Sequence, residues 1–123
     1  MASDINIGIE ASGKDENGSI PPISILLLAK ALKAHEVIKQ YVPASGPPIV
    51  VRMPGAFTTQ TLFLLKSDLA VGVQINAEPA LTPGGGGLLP AVVLRTGGPN
   101  ITTVTLTPNG STPATVYILV AGN

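Results

Sequence analysis

From Ser24 to Tyr41 the chain reads SILLLAKALKAHEVIKQY, and whether this stretch is helix or strand decides the fold. Leu27, Ala31, Ala34, Ile38 and Tyr41 recur at alternating intervals of four and three, which lines one face of a helix. Leu28 and Leu32 widen that stripe, while Lys30, Lys33 and Gln40 lie off it. Pro21-Pro22 ahead of the stretch suits a helix start, and Val42-Pro43 followed by ASGPP supplies a stop. The spacing therefore predicts one helix over about residues 24–41, although Ile23 to Leu27 reads equally as strand. One helix cannot cover both faces of a parallel sheet, so the remaining chain must bury its apolar residues against itself.

That remainder has period two. Ile5, Ile7 and Ile9 alternate with Asp4, Asn6, Gly8 and Glu10, the pattern of a half-buried strand, and the polar ASGKDENGS run from Ala11 to Ser19 reads as a solvated loop. Beyond Pro47, apolar runs separated by Pro and Gly read as strands at Ile49–Val51, Thr58–Lys66, Leu69–Asn76, Ala91–Arg95, Thr102–Thr107 and Ala114–Ala121. Residues 77–90 (AEPALTPGGGGLLP) read as a long turn-rich connection. The prediction is a single, mainly β domain over residues 1–123. It is an antiparallel, jelly-roll-like β-sandwich of about seven to eight short strands with one α-helix in its N-terminal half. Residues 1 to about 43, comprising strand, loop and helix, are read as an element that reaches between subunits.

Composition narrows the function. Seven basic and seven acidic residues cancel, which leaves no net field to gather phosphate or an anionic surface, and no nucleic-acid partner is expected. Charged residues make up 11% of the chain where about a quarter is usual, and none lies between Thr96 and Asn123. Such a surface does little to keep copies apart. The most apolar run, Ile20 to Leu32, is broken by Pro21, Pro22, Ser24 and Lys30 and falls short of the roughly 20 residues of a membrane span. Asp4 near the start, with no basic stretch ahead of an apolar one, argues against a secretory signal peptide. Cysteine is absent, which removes disulfides, thiolate metal sites and a Cys nucleophile together.

The residues that might carry chemistry are scattered. His35 is the sole histidine and has only Glu36 beside it, too little for a triad or a metal site. Asp15-Glu16-Asn17-Gly18 lacks the spacing of a calcium loop, and the Gly84–Gly87 run lacks the Lys that completes a phosphate-binding loop. Asp68 and Glu78 stand apart, and Asn100-Ile101-Thr102 and Asn109-Gly110-Ser111 read as turn chemistry in spite of matching the glycosylation pattern. No enzymatic activity, cofactor or metal is predicted. The charge-free tail alternates, with Val104, Leu106, Val116, Ile118 and Val120 opposite Thr103, Thr105, Thr107, Thr115 and Tyr117. Its strands must be closed inside the fold or paired by a partner.

Two segments, DLAVGVQINAE (68–78) and the threonine-rich NITTVTLTPNGSTPATVYILVAGN (100–123), read as a hairpin, resemble the small β-sandwich structural proteins of tailed bacteriophage virions. Decoration, cement, fibre-base and tail components are among them. The resemblance implies a virion location, with assembly in the host cytoplasm. It also implies a cyclic homo-oligomer, with a trimer favoured, attached to other capsid or tail proteins. It transfers no site residues. The expected mechanism is apolar burial between subunits: Ile5, Ile7 and Ile9 adding as a strand to a neighbour, and Leu27, Leu28, Leu32, Ile38 and Tyr41 docking between protomers. A carbohydrate- or receptor-binding module is the alternative, although Tyr41, Phe57, Phe63 and Tyr117 are its only aromatic residues.

Overall fold

The computed structural model describes residues 3–15, 18–32, 34–53, 58–81 and 90–123. Nine strands follow one another among them: β1 (Ser3–Asp15), β2 (Gly18–Leu32), β3 (Ala34–Val42), β4 (Ile49–Arg52), β5 (Gln60–Ser67), β6 (Gly72–Ile75), β7 (Val92–Thr96), β8 (Thr103–Thr107) and β9 (Ala114–Gly122). They form a four-stranded sheet in the order β3-β9-β5-β7, a three-stranded sheet in the order β4-β8-β6, and a separate β1-β2 ribbon, all antiparallel. The mainly β prediction holds.

The predicted helix is replaced by β2 and β3. Ala, Leu and Lys favour a helix locally by only tenths of a kcal/mol each. Against that stands a ladder of nine residue pairs with β9, from Ala34↔Gly122 to Val42↔Ala114. In the strand, Ile38 turns inward to pack on the core while Tyr41 lies exposed, so the helical stripe that joined them does not exist. The loop expected at Ala11–Ser19 is also corrected. β1 continues to Asp15 and pairs with β2 from Gly18 onward, and Glu16 and Asn17 lie outside the described residues. A register shift between Ala11 and Gly13 takes up the extra residue at Pro21-Pro22, which a ribbon with two open edges tolerates. The Gly84–Gly87 run and Phe57 lie outside the described residues as well.

The core lies between the two sheets. Phe63 and Leu65 of β5 and Val116 and Ile118 of β9 meet Val73 and Ile75 of β6 and Val104 and Leu106 of β8. Each of these side chains is almost fully buried, a contribution of about 1.5–3 kcal/mol apiece before conformational entropy is subtracted. The charge-free tail supplies the central strand of the three-stranded sheet and an interior strand of the four-stranded one. It is therefore closed within its own fold. The expected hairpin between β8 and β9 is not formed, because the two strands belong to different sheets. The connection turns on Asn109, whose Oδ1 accepts from the backbone N–H groups of Ser111 and Thr112, and on Gly110 at φ 88°, which a side chain would disfavour.

Candidate functional site

The outward faces of the two sheets differ in character. On the three-stranded sheet the register sets Arg52 opposite Thr103, and Val50 and Gln74 opposite Thr105, a largely polar surface suited to water. The four-stranded sheet is apolar outside as well as inside. Its ladders place Val37, Leu119, Leu64 and Leu94 in one continuous row across all four strands. On one side of that row lie Ala121 and Leu62; on the other lie Lys39, Tyr117, Lys66 and Val92.

One end of this face is covered by the chain's own ribbon. Ile7 is buried with Leu62 and Ala121, and Ile5, Leu64, Leu94 and Leu119 pack around them. The other end is bare: Val37 is 62% exposed, Tyr41 60% and Val92 65%. Tyr117 is partly exposed, with the ammonium groups of Lys39 and Lys66 at 5.8 and 5.9 Å from its ring centre, within the range of cation–π attraction. Contiguous apolar surface of this kind marks contact sites on soluble proteins.

Of the residues expected at a subunit interface, Ile5 and Ile7 sit on this face, and Tyr41 lies at its bare end. Ile38 belongs to the inner core. Ile9, Leu27, Leu28 and Leu32 are ribbon positions in register with Ile25, Ile7, Asn6 and Ser3, and their side chains lie outside what the structure describes. Val37, Leu64, Leu94, Leu119 and Tyr117 were not singled out from sequence as interface residues. The signal for them is the presence of apolar residues on both sides of β5 and β9, where a half-exposed sheet would alternate.

Polar groups elsewhere are engaged in structure. At one end of the fold a bulge at Thr61 in the β5–β9 ladder turns Gln60 inward. Its side-chain amide donates to the Ile101 carbonyl and accepts from the Ile101 N–H, both at 2.7 Å, as a strand backbone would. Asn100 accepts from the Gln60 N–H and donates to the Thr58 carbonyl. Asn76, in the left-handed region at φ 51°, accepts from the N–H groups of Thr102 and Thr103. At the other end Asp68 accepts from the Thr115 N–H and Asn109 donates to the Ala70 carbonyl. Asn109 thus acts as a turn residue, as expected, whereas Asn100 ties its segment to Thr58 and Gln60 some forty positions away.

Arg95 and Glu78 form a two-pronged ion pair beside a cleft of about 150 Å³ lined by Ile75, Pro79 and Leu81. The hydrogen bond from Arg95 holds the Glu78 carboxyl below the ordinary carboxylate range and raises the guanidinium in turn. A carboxylate so paired is a poor proton acceptor at neutral pH. Asp68 and Glu78 each have their own partner, and His35 lies on the β3 edge in register with Ala121. Among the described residues no three His, Asp or Glu side chains gather to hold a metal, and no helix is long and apolar enough to cross a membrane. Comparison with protein-family models, curated proteins and solved structures gives no match.

Proposed function

We propose that this chain is a non-enzymatic structural subunit, a jelly-roll β-sandwich that assembles into a homo-oligomer by burying the outer face of its four-stranded sheet. The carrying observation is the uncovered end of that face, where Val37, Tyr41, Tyr117 and Val92 lie exposed beside the part that the ribbon covers. The strand order supports the jelly-roll reading. From β3 to β6 the chain alternates between sheets, and it does so again from β7 to β9. The Val73↔Leu81 bridge stands where the eighth strand of a jelly roll would extend the smaller sheet beyond β6. With the resemblance of the 68–78 and 100–123 segments, this fits a decoration- or cement-like virion component attached to a capsid or tail, with three copies favoured. Light scattering tests the reading directly. A mass at a multiple of the single chain is expected at micromolar concentration, and a stable monomer would sink it.

A glycan-binding module is the second reading, because Tyr41 and Tyr117 offer exposed rings on neighbouring strands. Lys39 and Lys66 compete with a sugar for the ring of Tyr117, which disfavours stacking there. A glycan array with native protein and a Y41A/Y117A variant separates the two readings: sugar binding lost in the variant would favour the module.

A further inference from the structure

We propose that Asn109-Gly110 is a self-modification site gated by the fold. The native connections keep its two reacting groups in other bonds, and opening them lets Asn109 deamidate to a product that cannot take those bonds back. The reaction needs only water. The Gly110 nitrogen, once it has lost its hydrogen, attacks Asn109 Cγ; the new C–N bond closes a succinimide ring and the side-chain nitrogen leaves as ammonia. Water then opens the ring at either carbonyl, leaving aspartate or isoaspartate at position 109. Glycine on the C-terminal side favours the step because it has no Cβ to crowd the approach.

Three connections meet at this pair. The Gly110 N–H donates to the Ala44 carbonyl at 2.8 Å, in the connection between β3 and β4. Asn109 Nδ2 donates to the Ala70 carbonyl at 2.7 Å, between β5 and β6, and to Thr112 Oγ1 at 3.2 Å. Asn109 Oδ1 accepts from the N–H groups of Ser111 and Thr112 at 2.7 and 2.8 Å, within the connection from β8 to β9. The attacking nitrogen must therefore give up a hydrogen that Ala44 holds, and the amide must turn out of its own bonds to meet it. Burial adds little, since Gly110 is exposed with open space where a Cβ would lie. Hydrogen bonding is the gate.

The product fits the same place badly. Deamidation replaces the Nδ2 donor by a carboxylate oxygen, which at neutral pH has no hydrogen to give the Ala70 carbonyl and repels it instead. Isoaspartate also adds a carbon to the main chain, in a turn that holds Gly110 at φ 88°. The new charge would be the sole one between Thr96 and Asn123. One covalent change thus loosens the contacts among three connections at one end of the sandwich, and each opening that ends in reaction makes the next opening easier. The proposal is independent of the assembly reading above.

Native protein and protein unfolded in urea are held in the same mildly alkaline buffer and sampled over time. The tryptic peptide that follows Arg95 is read by mass spectrometry, and isoaspartate is scored with an isoaspartyl methyltransferase. Asn17-Gly18, the other such pair in the chain, calibrates the unfolded rate. Loss of two net hydrogen bonds on opening sets the native rate at Asn109 at least about tenfold below the unfolded one. Equal rates in the two states would overturn the gate. S111P removes one N–H from the clamp and should narrow the ratio of unfolded to native rates in protein that circular dichroism shows to be folded; T112A, a milder cut at Oγ1, serves where S111P does not fold. A ratio unmoved in a folded variant would refute the assignment of the gate to these bonds. N109D, which is one product made directly, should unfold at lower urea than native protein, and an equal midpoint would overturn the claim that the product cannot reclose.

Discussion

Gln60 offers a sharp test of how β5 is tied to the segment leading into β8. Its amide replaces a stretch of strand for Ile101, satisfying both backbone groups of a residue that is 2% exposed. Truncation to Ala leaves a buried N–H and a buried C=O without partners, each costing about 1–3 kcal/mol, so Q60A should lose about 2–5 kcal/mol. For a domain of this size that corresponds to a drop in melting temperature of about 10 °C or more. Q60E adds a sign. A carboxylate still accepts from the Ile101 N–H but faces the Ile101 carbonyl with negative charge; the protonated acid donates there as Gln does. Burial and the opposing carbonyl raise the folded-state pKa of that Glu above its unfolded value. The penalty relative to native protein is then greatest at neutral pH and shrinks as pH falls through the raised pKa. Urea unfolding of native, Q60A and Q60E proteins at about pH 7 and about pH 4.5 reads both effects. A Q60A loss under about 1 kcal/mol, or a Q60E penalty that does not shrink on acidification, would refute the account.

Other positions give further tests. A Cβ on Gly122 would lie 2.1 Å from the Thr59 carbonyl oxygen, so G122A should force the β5–β9 ladder apart and cost toward the upper end of about 1–3 kcal/mol. G8A, with open space around it, should stay within about 0.5 kcal/mol by the same urea assay. V37E should lower the assembled mass seen by light scattering, whereas V50E, equally exposed on the other sheet, should not. The Glu78 carboxyl has a depressed folded-state pKa, so its small stabilisation is present above the unfolded pKa and fades as pH falls through the folded one. E78Q should therefore lower the urea midpoint slightly at neutral pH and leave it unchanged in strong acid, a modest effect because the pair is solvent-exposed.

The alternation at β6, β8 and the first part of β9 was legible because each strand hides one face in the core, and period two survives wherever one side differs from the other. Val116, Ile118 and Val120 against Thr115 and Tyr117 is an instance. Residues 24–41 misled for the complementary reason. In β3 both faces carry apolar residues, Val37 and Tyr41 outward and Ile38 and Val42 inward, so the strand period is blurred and a helical one can be drawn through it. What selects the strand is pairing with β9, some eighty residues away in sequence, which no local window contains. The same blurring hid the candidate interface. Leu64 and Leu119 looked like surplus core, and only the register shows them aligned with Val37 and Leu94 on the outside.

The sheet edges bear on the proposed contact through a face. A protein so poor in charge would be exposed to open-ended strand pairing unless its edges were blunted. β4 is only four residues long and is preceded by Pro47-Pro48. β7 runs into Gly97-Gly98-Pro99, and the outer side of β6 is occupied at Val73 by Leu81. β3, the longest edge of the two larger sheets, carries His35, Glu36 and Lys39. Meanwhile the charge-free strands β8 and β9 are flanked on both sides within their sheets and need no such protection. The edges of the two larger sheets are defended, and the bare end of the outer face of the four-stranded sheet is not. Growth by strand addition, which has no natural stopping point, is thereby disfavoured relative to the proposed contact through that face.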